Sequence, residues 1–259
     1  MPNKGIEQGC LAENSQASPD GWPLPVSGFV LAGGKSSRMG RNKAMLPWHI
    51  SRTRTETLLD HTANRLRVVC DPVAICGFVP GSQPPAPDSP SLPPNVTSAL
   101  AQIPDARPGT GPLGGIVAAL EQSRTDWNLF LAIDLPLLPA GFLRDLLNRV
   151  PAGRSEPLCI IPTLSGRPQP LCSVLHRSLA CGLRNALESG QYKVMLALQL
   201  AAEKVAPARP EAVALDLWEI EDLPAEAGLQ PWEWFLNVNT PADWDRAEEL
   251  ALRSLEEDA

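Results

Sequence analysis

Strand-length apolar runs alternate with segments of helical period along most of this chain, and that alternation limits the possible folds more than any other feature. Residues 26–32 (VSGFVLA) form a short apolar run that ends in Gly33-Gly34, a buried strand feeding a loop. Residues 56–70 place Leu58, Leu59, Thr62, Leu66 and Val69 at helical spacing, with Arg65 and Arg67 off that stripe. Strands are expected at 73–79 and 128–133, and shorter ones at 158–163, 171–175, 213–217 and 235–238. Helices are expected at 111–122, with Pro112 in the first turn, and at 139–150, where Leu143, Leu146 and Leu147 point inward. Two more are expected at 178–189 and 193–201. A last helix starts at Pro241, with Trp244, Ala247, Leu250, Ala251 and Leu255 on one face. Thr240 is its natural cap, and Asp243 completes a capping-box-like start. This order predicts an α/β fold with a mostly parallel sheet. Ligands of such sheets bind at the carboxyl ends of the strands.

The 259 residues suit one large domain or two small ones, and 44% hydrophobic content supplies a core. We expect a polar, flexible leader over residues 1–25 and a single domain over 26–259. Within it, a proline-rich loop at 80–95 and a surface connection at 221–231 interrupt the pattern. No apolar run reaches the ~18–20 residues of a membrane helix. The first 25 residues lack the apolar centre of a secretory signal, so a cytoplasmic protein is expected. The six cysteines form no C-x-x-C pair and only three histidines accompany them, which argues for reduced, partly buried thiols over a zinc site. A net charge of −7 disfavours nucleic acid as a partner. The charge is uneven, however. Residues 21–55 contain no acid and six bases, Lys35, Arg38, Arg41, Lys43, Arg52 and Arg54, which leaves −13 on the rest.

Four of those bases fall in the loop after the first strand, L-A-G-G-K-S-S-R-M-G-R-N-K from Leu31 to Lys43. Glycines let backbone N–H groups approach a ligand, and such donors beside Lys and Arg bind phosphate oxygens. The loop is neither a G-x-G-x-x-G fingerprint nor a P-loop, which would need Gly where Phe29 stands. The string resembles the first motif of the MobA-like nucleotidyltransferases, the family of the molybdenum cofactor guanylyltransferases. That resemblance implies a three-layer Rossmann-like nucleotidyltransferase fold in which the loop wraps a nucleoside triphosphate. By match, Leu31, Ala32, Gly33 and Gly34 contact the nucleotide, while Arg38 and Lys43 steady its phosphates and act in catalysis.

Three further blocks follow in the family's order. Asp105, ahead of G-T-G-P-L-G-G-I, resembles the residue that recognises base and ribose, and one carboxylate suits the two donors of guanine. Asp134-Leu135-Pro136 ends an apolar strand and resembles a metal-binding D-x-P. A carboxylate at that place suits Mg²⁺, which takes one or two protein carboxylates plus phosphate oxygens. The string F-L-N-V-N-T-P-A-D from Phe235 to Asp243 puts Asn237 and Asn239 on one face of an expected strand end, where the resemblance makes them neighbours of the acceptor and the metal. Pro168, Pro170, Leu171 and Val174 resemble an acceptor-side P-x-P-L-x-x-V, Lys193 stands near a basic position of the family, and Cys76 stands where some members have Asn.

The reaction implied is transfer of GMP from Mg-GTP to the phosphate of molybdopterin, with GTP and molybdopterin as substrates and a molybdoenzyme or its chaperone as a protein partner. The L-A-G-G and G-P-L strings favour guanylyl over cytidylyl transfer. The alternatives are a cytidylyl- or sugar-phosphate nucleotidyltransferase, or a non-catalytic nucleotide-binding or cofactor-chaperone domain.

Overall fold

The computed structural model describes residues 25–33, 42–51, 53–77, 100–151, 157–205 and 214–257. The expected leader up to residue 24, the proline-rich loop and the bases Lys35, Arg38, Arg41 and Arg52 fall outside these residues, as does Gly34. Strand β1 (Val26–Leu31) is followed by a hairpin of β2 (Pro47–His49) and β3 (Thr55–Thr57), then α1 (Leu58–Arg67), β4 (Val73–Cys76), β5 (Ala101–Ile103), α2 (Pro112–Gln122) and β6 (Trp127–Ala132). The second half runs α3 (Ala140–Asn148), β7 (Cys159–Leu164), β8 (Arg167–Pro168), β9 (Cys172–His176), α4 (Ala180–Glu188), α5 (Val194–Val205), β10 (Leu215–Glu219), the single turn α6 (Pro231–Trp234) and α7 (Pro241–Glu257).

One sheet has the order β10-β7-β9-β6-β1-β4-β5, with β8 paired to β7. All pairs from β6 through β5 are parallel, as are β10 and β7, whereas β9 runs antiparallel to both its neighbours. Alternation along β1 divides its side chains between two cores. Val26 and Val30 join Leu58, Leu66, Phe142, Leu143, Ala247 and Leu250 on one face. Phe29 and Leu31 join Leu113, Ile116, Leu183 and Leu198 on the other. The register sets Phe29 opposite Phe130, and their rings stack at 5.2 Å. The result is a sheet between two helical layers, which explains why β1 and β6 are buried along their whole length.

Several expectations need correction. Residues 56–57 belong to β3; Thr57 then caps α1 by accepting from the Asp60 amide at 3.0 Å, so the helix starts at Leu58. Off the apolar stripe, Arg65 is half-buried and donates to the His61 ring at 2.9 Å. Residues 235–238 form no strand. Phe235 and Val238 are apolar because they anchor in the core, and the Val238 amide donates to the Asp134 carbonyl at 2.9 Å instead of joining a ladder. The connection at 221–231 is more than surface, since Leu229 and Pro231 are buried and the Glu226 carboxylate accepts from the Gly141 amide at 2.9 Å. The short elements β2, β3, β5, β8 and α6 are too brief to show periodicity. Cys70, Cys76, Cys159 and Cys172 are buried free thiols and Cys181 is an exposed one. Among the described residues no helix is long and apolar enough to cross a membrane.

Candidate active site

Parallel pairing brings the carboxyl ends of four strands to one edge. Leu31 lies beside both Cys76 and Ala132, and Cys76 beside Ile103. The pairing continues past the strands: Ala32 N donates to Cys76 O at 3.1 Å, Gly77 N to Ile103 O at 2.9 Å, and Ile133 N to Leu31 O at 3.3 Å. Ala32-Gly33, Gly77, Asp105 and Asp134 therefore emerge together. Because β9 runs the other way, its start reaches the same edge, where Leu171 O accepts from Ala132 N at 2.9 Å. The segment 168–171 is thereby placed beside the turn that carries Asp134.

The first cluster is a glycine-lined recess. A Cβ added to Gly77 would stand 2.8 Å from the Gly33 Cα, and Gly77 has φ +91°, so glycine is required there on both counts. A Cβ on Gly33 would stand 3.9 Å from both Asp105 carboxylate oxygens, and one on Gly115 would stand 3.3 Å from Oδ1. The carboxylate thus lies close to Gly33, Gly77 and Gly115, at the start of α2. Burial raises its pKa above the ordinary 3.8. Leu31 has its side chain in the core, so any ligand there would meet its backbone. Gly77 was not expected as a site residue; its signal is a glycine directly after the apolar run V-A-I-C.

The second cluster holds the buried charges. Lys43 opens a short 3₁₀ turn (Lys43–Met45), whose start is capped by the Asn42 side chain accepting from the Ala44 amide at 3.2 Å. The residue is 8% exposed, and Nζ donates to Asn239 Oδ1 at 3.1 Å. Burial lowers its pKa from 10.5, an effect opposed by the charges of Asp134 and Asp243. At Asp134 burial raises the carboxyl pKa, with Lys43 pulling it back. Asp134 Oδ1 is buried with no hydrogen-bond partner among the described residues. An unpartnered, desolvated carboxylate oxygen is unfavourable alone and is a natural ligand for a hard cation. No group of three or more His, Cys, Asp or Glu able to hold a metal occurs among the described residues, so a cation at Asp134 would draw its remaining ligands from elsewhere, phosphate oxygens and water being the chemical match.

Asn237 and Asn239 are exposed on either side of the buried Val238, and Asn237 Nδ2 donates to Phe235 O at 3.4 Å. The geometry joins Asn239, Lys43 and Asp134 into one group and Leu31, Ala32, Gly33 and Asp105 into another. Asp243 is the residue that sequence reasoning treated only as a cap, and its carboxylate also faces Lys43.

A carboxylate among glycines, a buried lysine and a bare carboxylate oxygen on one sheet edge are the donor set of a class, the α/β proteins that bind phosphate esters. Within that class, the chain belongs to the family described as the MobA-like NTP transferase domain, which matches residues 28–205. A protein of Carboxydothermus hydrogenoformans named "Probable molybdenum cofactor guanylyltransferase" is 31% identical over 234 residues, 88% of this chain and 96% of that one. One of the same name from Halalkalibacterium halodurans is 29% identical over 83% of this chain and 94% of its own. The crystal structure of molybdopterin-guanine dinucleotide biosynthesis protein A from Archaeoglobus fulgidus shares the fold, with a TM-score of 0.62, 23% identity, and 86% and 97% of the two chains covered. The chain is a nucleotidyltransferase by family.

Proposed function

We propose that this protein transfers GMP from GTP to the terminal phosphate of molybdopterin. A phosphate oxygen of the acceptor attacks the α-phosphorus, the bond to the β-phosphate breaks, and pyrophosphate leaves. No protein nucleophile is needed, so positioning and charge neutralisation supply the catalysis. The observation that carries this reading is the juxtaposition of a buried Lys43 and the unpartnered Asp134 Oδ1 beside the Asp105 recess. Asp134 would hold the divalent cation that the family requires, and we take it as Mg²⁺, which neutralises phosphate charge. Lys43, with Arg38 from outside the described residues, would stabilise charge on the phosphates, and the amides at Gly33 and Gly34 would bind phosphate oxygens. Asp105 would accept from the guanine N1–H and exocyclic amine. The names of the relatives support guanine as the base and the molybdenum cofactor as the acceptor.

Asp105→Asn tests the base assignment. In the unfolded chain Asp105 ionises near 3.8, while in the folded protein it does so at a higher pH. Stability from this group is therefore fully present below about 3.8 and is lost as the pH rises through the folded value. At neutral pH its charge is a net cost, so the variant should melt no lower than the parent. Thermal-shift titrations should show that the parent is stabilised by Mg-GTP more than by Mg-CTP or Mg-ATP, and that the variant loses this preference. A variant that keeps it would remove Asp105 from base recognition, and a parent stabilised by CTP alone would overturn the guanine reading.

A further inference from the structure

The segment that joins the two charged groups of the site is 238–240. Its Val238 amide donates to the Asp134 carbonyl at 2.9 Å, and Val238 is fully buried. Its other end is fixed to α7: the Asp243 carboxylate accepts from the amides of Asn239 at 3.0 Å and Thr240 at 2.8 Å, and the Asp243 amide donates to Thr240 Oγ1 at 3.2 Å. This reciprocal capping box leaves the backbone of Asn239 little freedom. From that fixed backbone the Asn239 carbonyl Oδ1 reaches Lys43 Nζ at 3.1 Å. A lysine ammonium is a flexible point charge on a four-carbon stem, so an acceptor held in place decides where the charge stands. Asn239 is that acceptor for Lys43, and its position is set by the same short segment that holds the Asp134 backbone.

We propose that Asn239 is a positioning residue for Lys43, aimed by the capping box of α7, and acts on the reaction through that lysine instead of by contacting the acceptor. This rests on the nucleotidyl-transfer reading given above, and it reassigns Asn239 from the acceptor side, leaving Asn237 there. A neutral amide suits the task. It accepts from the ammonium without cancelling its charge, which stays available to the phosphates.

A double-mutant cycle with Lys43→Ala, Asn239→Ala and the combined variant tests this, with the acceptor KM and kcat measured separately. Asn239→Ala is expected to lower kcat about tenfold, the scale of losing a hydrogen bond to a charged group. The acceptor KM should stay within about twofold. In the Lys43→Ala background, Asn239→Ala should change kcat by less than about twofold, because its route of action is gone. Effects that multiply, an acceptor KM that rises with kcat unchanged, or no effect of Asn239→Ala at all would each overturn the proposal. The backbone contacts of Asn239 do not use its side chain, so the variants are expected to fold, which melting curves check. The same cycle read by calorimetry as Mg-GTP affinity separates the two readings. If the parent transfers nothing from GTP, the functional proposal fails, while collapse of the Asn239→Ala effect on nucleotide binding in the Lys43→Ala background would still uphold the positioning role.

Discussion

Asp134→Asn is expected to abolish transfer, by about three orders of magnitude or more, while the protein stays folded. Two features lead to this. The Asp134 Oδ1 has no hydrogen bond among the described residues, and replacing a desolvated charge by a neutral group relieves a cost instead of imposing one. The melting temperature should therefore hold or rise. Chemically, an amide oxygen is a far weaker ligand for a hard divalent cation than a carboxylate, and the charge stabilisation at stake is several kcal/mol, the equivalent of about 10³-fold or more in rate. Steady-state rates across a range of Mg²⁺, beside melting curves, check both halves. Activity near that of the parent would remove Asp134 as the metal ligand. Inactivity caused by unfolding would mean that the carboxylate has structural partners beyond those described.

Lys43→Ala should cost about 2–4 kcal/mol of transition-state stabilisation, a fall in kcat of roughly 30- to 1,000-fold. Its charge lies buried near Asp134 and Asp243 and is held by the Asn239 acceptor, the arrangement in which one oriented donor matters most. The unfolded lysine takes up its proton near 10.5, the folded one at a lower pH, so stability is lost as the pH falls from 10.5 through the folded value. At neutral pH the protonated Lys43 is therefore a net cost to the fold. An unchanged kcat at saturating GTP would take Lys43 out of the mechanism.

The strands and helices with strong periodicity were legible in the sequence because the two cores on either side of the sheet impose it. Helix α2 (Pro112–Gln122) matches its expected range for that reason, and Thr240 and Asp243 form the capping box their spacing implies. Residues 235–238 misled because an apolar alternation can serve to anchor a crossing segment as well as to build a ladder. Motif order brought out Lys43, Asp105 and Asp134. It did not bring out Gly77, whose need for glycine comes from the approach of Gly33, a contact between chain segments far apart in sequence. Nor did it show that Asn239 faces Lys43, since the partner is 196 residues away and the contact depends on how α7 starts.

In the proposed reaction this site moves a guanylyl group onto a phosphate. Pyrophosphate release by the purified protein with Mg²⁺, molybdopterin, and either GTP or CTP tests it most directly, with the dinucleotide product identified by mass. One pyrophosphate is expected per molybdopterin converted with GTP, and little with CTP. Release with CTP and none with GTP, or binding of both substrates with no turnover, would contradict it.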